Sequence, residues 1–81
     1  MTRFVLTVTC QSTRGIVAAI SGFLAEMGCN IVDSSQFDDL GTGRFFTRVG
    51  FISEEGKPLE ALTSDLKPIA EKFEMETELY D

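Results

Sequence analysis

The sequence predicts an α+β domain: a four-stranded antiparallel sheet with two helices on one face, in the order β-α-β-β-α-β. Three features lead there. Two segments carry apolar residues at helical spacing, and four others read as strands bounded by turn residues. Each helical stripe is one-sided, so both helices need a common apolar surface to cover. The chain has 81 residues, is 43% apolar and contains seven phenylalanines, enough for one domain with a real core.

Residues 3–10, RFVLTVTC, alternate. Phe4, Leu6, Val8 and Cys10 share one face, and Arg3, Val5, Thr7 and Thr9 the other, as in a half-buried strand. Ser12 suits a helix N-cap, because its hydroxyl can accept from a free first-turn amide. Over residues 13–27 the stripe Ile16, Ile20, Phe23, Leu24 and Met27 predicts a helix of about four turns. Gly28 lies just past it, where a positive φ is often needed. Residues 30–39 predict a second strand, with Asp33, Ser34, Ser35 and Gln36 too polar for burial on both faces. The turn DLGTG leads into GRFFTRVGFI, a third strand of high β-propensity, so the two form a hairpin. Phe45 and Phe46 must point to opposite faces, one to the core and one to an interface.

Pro58 suits the first turn of a second helix, carried by Leu59, Leu62, Leu66, Ile69 and Phe73. Pro68 should kink or end that helix near Lys67. The tail alternates, with Phe73, Met75, Thr77 and Leu79 on one face, and predicts a last strand with its glutamates outward. The arrangement is ferredoxin-like. Its second sheet face, with Thr7, Thr9, Phe46 and Arg48, is left partly open.

Composition narrows the chemistry. Net charge is −6 and the isoelectric point about 4.4, which disfavours nucleic acid and anionic membranes as partners. No apolar run approaches the ~20 residues of a membrane span. The start, MTRFVLTV, reads as a strand rather than a signal peptide, and a cytoplasmic location is expected. Cys10 and Cys29 have no metal-ligand spacing and are expected to be reduced thiols. There is no histidine, so no His-based metal site and no Ser-His-Asp or Cys-His catalysis is expected; no metal or cofactor of another kind is expected either.

The passage CQSTRGIVAAISGFLAEMGCNI, Cys10 to Ile31, resembles the ACT domain, a small ligand-binding regulatory module of this layout. GIVAAISGFLAEMGCNIVDSSQFDD followed by TGRFFTRVGF is similar to the N-terminal ACT domain of the formyltetrahydrofolate deformylase family. The resemblance spans nearly the whole chain. That family usually has Pro-Asp where Gln11 and Ser12 stand, and Trp where Thr77 stands. It implies a parent enzyme that hydrolyses 10-formyltetrahydrofolate to tetrahydrofolate and formate, with the formate feeding purine synthesis. The family's catalytic Asn, His and Asp belong to a separate formyltransferase-like domain. This chain lacks that domain and ends at Asp81, about where the family's linker begins. A single regulatory domain over residues 1–81, not an enzyme by itself, is therefore expected.

Two segments are candidate ligand contacts. At Ser12, Arg14, Gly15 and Ile16, first-turn amides and a guanidinium suit a carboxylate; alternatively Ser12 caps the helix and Gly15 only packs. At Gly28, Cys29, Asn30 and Ile31, the amide of Asn30 can serve both ends of an amino acid; alternatively Gly28 ends a helix and Asn30 bonds within a loop. The resemblance adds a small amino acid such as glycine or methionine, held where two ACT domains pair, and a catalytic domain as a further partner. A free-standing ACT protein acting by protein contact, or a dimerisation module without ligand, are the competing expectations.

Overall fold

The computed structural model describes residues 3–80. Strand β1 spans Arg3–Gln11, helix α1 Ile16–Glu26, β2 Cys29–Asp39, β3 Arg44–Ser53, α2 Leu59–Lys72 and β4 Glu76–Tyr80. The four strands form one sheet in the order β2-β3-β1-β4, and every neighbouring pair is antiparallel. The expected ferredoxin-like α+β architecture is the observed one.

Alternation decides which face is covered. Phe4, Leu6, Val8 and Cys10 from β1 and Phe45, Val49 and Phe51 from β3 are buried. Ile16, Ile20, Phe23 and Leu24 from α1, with Leu62 and Leu66 from α2, close over them. Met27, Leu59, Ile69 and Phe73 pack at the margin of this core, half-buried. Phe46 faces the other way and is exposed, as the strand period requires. Buried polar groups are paired: the Thr47 hydroxyl donates to the Ser35 carbonyl at 3.1 Å, and the Ser53 hydroxyl accepts from the Lys57 amide at 3.0 Å.

Three local expectations are corrected. Ser12 is not the N-cap of α1. The helix begins at Ile16 behind Gly15, which has φ 92° and supplies no side-chain cap. The left-handed turn at Gly15 carries Ser12 away from the first-turn amides, and its hydroxyl donates instead to Asp38 at 3.1 Å. Pro68 does not end α2, which runs on to Lys72. The carbonyl that loses its partner belongs to Ser64, four residues earlier, and Ser64 faces solvent. The last strand begins at Glu76, and Phe73 is the C-cap of α2. Here the Glu74 amide donates to the Glu71 carbonyl at 3.3 Å and the Met75 amide to the Ala70 carbonyl at 2.8 Å. With Glu74 at φ 53°, this is a Schellman ending, and it reverses the chain before β4 can start.

Candidate ligand site at the ends of the first helix

The eight candidate residues fall into two groups at opposite ends of α1. The helix has 11 residues, so its ends are about 16 Å apart at 1.5 Å per residue. Ser12, Arg14, Gly15 and Ile16 surround its N-terminus; Gly28, Cys29, Asn30 and Ile31 follow its C-terminus. One chain does not bring the two groups together.

At the N-terminal end, the Ser12 amide donates to the Gly43 carbonyl at 2.8 Å. With the Ser12–Asp38 bond, this ties the β1–α1 loop to the hairpin of β2 and β3. Gly15 faces open space: a Cβ there would meet nothing within 4 Å. Its φ of 92° nevertheless selects glycine. Arg14 is exposed and makes no ion pair among the described residues. The Ile16 side chain is buried in the core, so only its backbone amide can face a ligand. The first-turn amides have no partner further up the helix, and no side chain caps them. This end therefore offers donors, a guanidinium, and the Asp38 carboxylate of β2, which Ser12 holds at 3.1 Å.

At the C-terminal end, Gly28 adopts φ 74°, and a Cβ on it would collide with the Glu55 side chain. The Glu54 amide donates to the Gly28 carbonyl at 3.0 Å. What approaches this glycine is thus the loop between β3 and α2. Cys29 is half-buried, and its thiol pKa is raised, chiefly by desolvation. Cys29 and Ile31 pair with Ser53 and Phe51, on the helix-covered face, whereas Asn30 pairs with Ile52 on the open face.

Between the two ends runs β2. It is an edge strand, mostly exposed along its length, and a bulge between Ile31 and Asp33 interrupts its register. Val17 of α1 and Ile31 and Val32 of β2 leave apolar surface exposed beside it. A narrow cavity of about 50 Å3 opens between α1 and β2, lined by Val17, Ser21, Ile31, Ser34 and Gln36 among others. The sequence reading did not include Val17 or Ser21 among the site residues. Val17 carried a signal, as a β-branched residue beside the buried stripe of its own helix. The polar run of β2 carried the other, because Ser34 and Gln36 sit on the inward side of the strand and line the space beneath α1.

A chain of this βαββαβ layout, with a glycine-started first helix beside a free strand edge, has the form of a small regulatory binding module. The family profile described as ACT domain matches residues 4–67, and the chain belongs to the ACT domain family. Formyltetrahydrofolate deformylase of Corynebacterium sp. (strain P-1) is 41% identical over 78 residues, covering 95% of this chain and 27% of that protein. The crystal structure of formyltetrahydrofolate deformylase from Burkholderia mallei superposes with a TM-score of 0.89 at 38% identity, covering 99% of this chain and 28% of that one. An ACT domain protein from Streptococcus pneumoniae superposes with a TM-score of 0.82 at 26% identity, covering 95% of this chain and 85% of that one. The chain spans about a quarter of the length of the curated relatives it matches. No helix among the described residues is long and apolar enough to cross a membrane.

Proposed function

We propose that this chain is an amino-acid-responsive regulatory module whose ligand site is completed by a second copy, and that it serves a cytoplasmic formyltetrahydrofolate deformylase. One observation carries the reading: the candidate contacts lie at the two ends of α1, and these meet opposite ends of the edge strand β2, at Asp38 and at Cys29–Ile31. An exposed edge favours pairing with another strand. An antiparallel pairing of β2 with its copy, with the dyad near Ser34, lays Asp38 and its bonded Ser12 beside the partner's segment 29–31. The two half-sites then form two complete sites related by the dyad.

In such a site the first-turn amides and Arg14 take the ligand carboxylate. The Asp38 carboxylate takes the ammonium. The cavity between α1 and β2 holds only about 50 Å3, which suits glycine; methionine is the other ligand to try first, on the family resemblance alone. Regulation follows if the ligand prefers one arrangement of the pair over another, since only differential binding shifts an equilibrium. The chemistry of the parent enzyme, hydrolysis of 10-formyltetrahydrofolate to tetrahydrofolate and formate for purine synthesis, belongs to a catalytic domain outside these 81 residues.

The test is calorimetric titration of the chain with glycine, methionine and serine, with mass from light scattering alongside. A dimer that binds one of the three supports the reading. Asp38→Asn and Asn30→Ala should each weaken that binding without unfolding the chain. Val32→Lys, placed on the edge, should abolish pairing and binding together. Binding by a monomer would sink the two-copy site, and a dimer blind to all three would leave an assembly module. A second reading is a free-standing ACT protein acting by protein contact; the ACT domain protein from Streptococcus pneumoniae, 85% of which this fold covers, supports its free-standing part only.

A further inference from the structure

The sheet face turned away from the helices is a surface that the ligand reading leaves unused. Its residues stand in cross-strand rows. Glu78, Thr7, Arg48 and Ser35 form one row, Glu76, Thr9, Phe46 and Phe37 the next, and Tyr80, Val5, Gly50 and Asp33 a third. Phe37 is 62% exposed and Phe46 40% exposed, and their rings stack with centroids 6.4 Å apart. Beside this ridge on β2 and β3 lies a trough on β1, where Thr7 and Thr9 are small. The resulting groove holds about 250 Å3.

The charge on this face differs from that of the rest of the molecule. Three of the four arginines lie on it, Arg3, Arg44 and Arg48, and none of the three lysines. They stand against four carboxylates, Asp33, Asp39, Glu76 and Glu78, so the face is nearly balanced on a chain of net charge −6. Exposed aromatics with arginine, and no lysine, are the composition of an interface rather than of a solvated surface. Arg3 pairs loosely with Asp33 at 3.6 Å. Arg48 has no ion-pair partner among the described residues. Glu78, two strands away in the same row, accepts from the Tyr80 hydroxyl at 2.7 Å and keeps its remaining oxygen capacity free.

We propose that this face stacks on the same face of a second copy of the chain, through a dyad running parallel to the strands. That axis keeps each row in register and exchanges the strands, so that β1 lies over the partner's β3 and β4 over the partner's β2. The ridge of Phe46 and Arg48 then enters the partner's Thr7–Thr9 trough. Arg48 lands beside the partner's Glu78, and the dyad makes that pair twice. Aligned sheet stacking at about 10 Å leaves room for these side chains to interdigitate. Three strands roughly 30 Å long and a fourth of roughly 17 Å, about 4.8 Å apart, give each copy about 500 Å2 of face, or roughly 1,000 Å2 in total. That is the lower limit for a specific interface, so the association is weak and depends on concentration. The surface is separate from the β2 edge, and a chain that used both would close as a tetramer with two kinds of dyad.

The test is light scattering across a concentration series on the 81-residue chain, Arg48→Glu, Glu78→Arg and the double variant, with circular dichroism to confirm the fold. Each single swap places like charges together twice and should raise the dissociation constant of this contact at least about tenfold. The double variant restores both pairs and should recover the mass of the unaltered chain. The same swaps in a Val32→Lys background separate this contact from the edge. There, a remaining dimer that Arg48→Glu dissociates supports the stack even if edge pairing and amino-acid binding both fail. An unaltered chain that is monomeric at every concentration overturns the proposal, as does a mass indifferent to the single swaps. A double variant that stays at the mass of the singles overturns it as well. Those outcomes would leave the face to another protein or domain.

Discussion

At the scale of single residues, two glycines and two thiols carry the clearest consequences. Gly15 holds φ 92° with open space around its missing side chain. Gly15→Ala should therefore cost only backbone strain, about 1–2 kcal/mol, read as a lower midpoint in urea unfolding. Gly28→Ala has the same left-handed strain at φ 74° and displaces the exposed, flexible Glu55 side chain, so it should cost a similar amount or slightly more. Combining it with Glu55→Ala should recover the collision but not the strain, which a double-mutant cycle would measure. Cys10 is fully buried, and burial raises its pKa against the lowering field of Arg44. An acid whose folded pKa is raised holds its proton longer when folded. Its contribution is complete below the unfolded pKa and is lost as pH rises from there through the folded value. Stability should accordingly decline above about pH 8.5, and the decline should shrink in Cys10→Ala. A thiol reagent at neutral pH should modify half-buried Cys29 well before Cys10. The opposite facing of Phe45 and Phe46 was legible from strand parity alone. The Ser12–Asp38 bond was not, because it joins residues 26 apart that only the hairpin brings together.

At the scale of elements, both helices and the hairpin followed from periodicity and turn chemistry, and the misjudged boundaries have physical causes. Proline in a helix is costly only as far as its lost bond and its ring are not accommodated. In α2 the affected turn lies on the solvent side, where the freed carbonyl can be hydrated, and packing of Leu62 and Leu66 below holds the helix together. Pro68→Ala should still stabilise the chain, by up to about 3 kcal/mol, seen as a rise in the thermal midpoint. The C-terminus of α2 was hidden because Phe73, Met75, Thr77 and Leu79 alternate with glutamates as a strand would, while the Schellman turn uses a glutamate rather than glycine in the left-handed position. Glu74→Gly should relieve that strain and stabilise by about 0.5–1 kcal/mol. In β2 the polar run was read as a strand with a solvated face. The structure exposes it more widely, since edge position removes cover as effectively as polarity predicts it. The placement of Asn30 on the open face could not be read, because a bulge shifts facing without changing composition.

At the scale of the whole molecule, the core is confined to one side of a sheet, and two surfaces remain for association, the β2 edge and the helix-free face. Small domains bury a limited share of their surface, so each contact made by a second copy should add stability. The thermal midpoint should rise with protein concentration, and Arg48→Glu should flatten that dependence. The order β2-β3-β1-β4 has a further consequence for the chain's birth. One of the two strands in the middle of the finished sheet, β1, is the first of the four to be made, yet neither of its neighbours is next to it in sequence. Arg3 must wait for Ile52, and Val5 for Tyr80. Until β3 emerges, Phe4, Leu6, Val8 and Cys10 have no strand to lie beside and only α1 to shelter them. The segment that ends up best protected from water is thus, during synthesis, the one longest exposed to it.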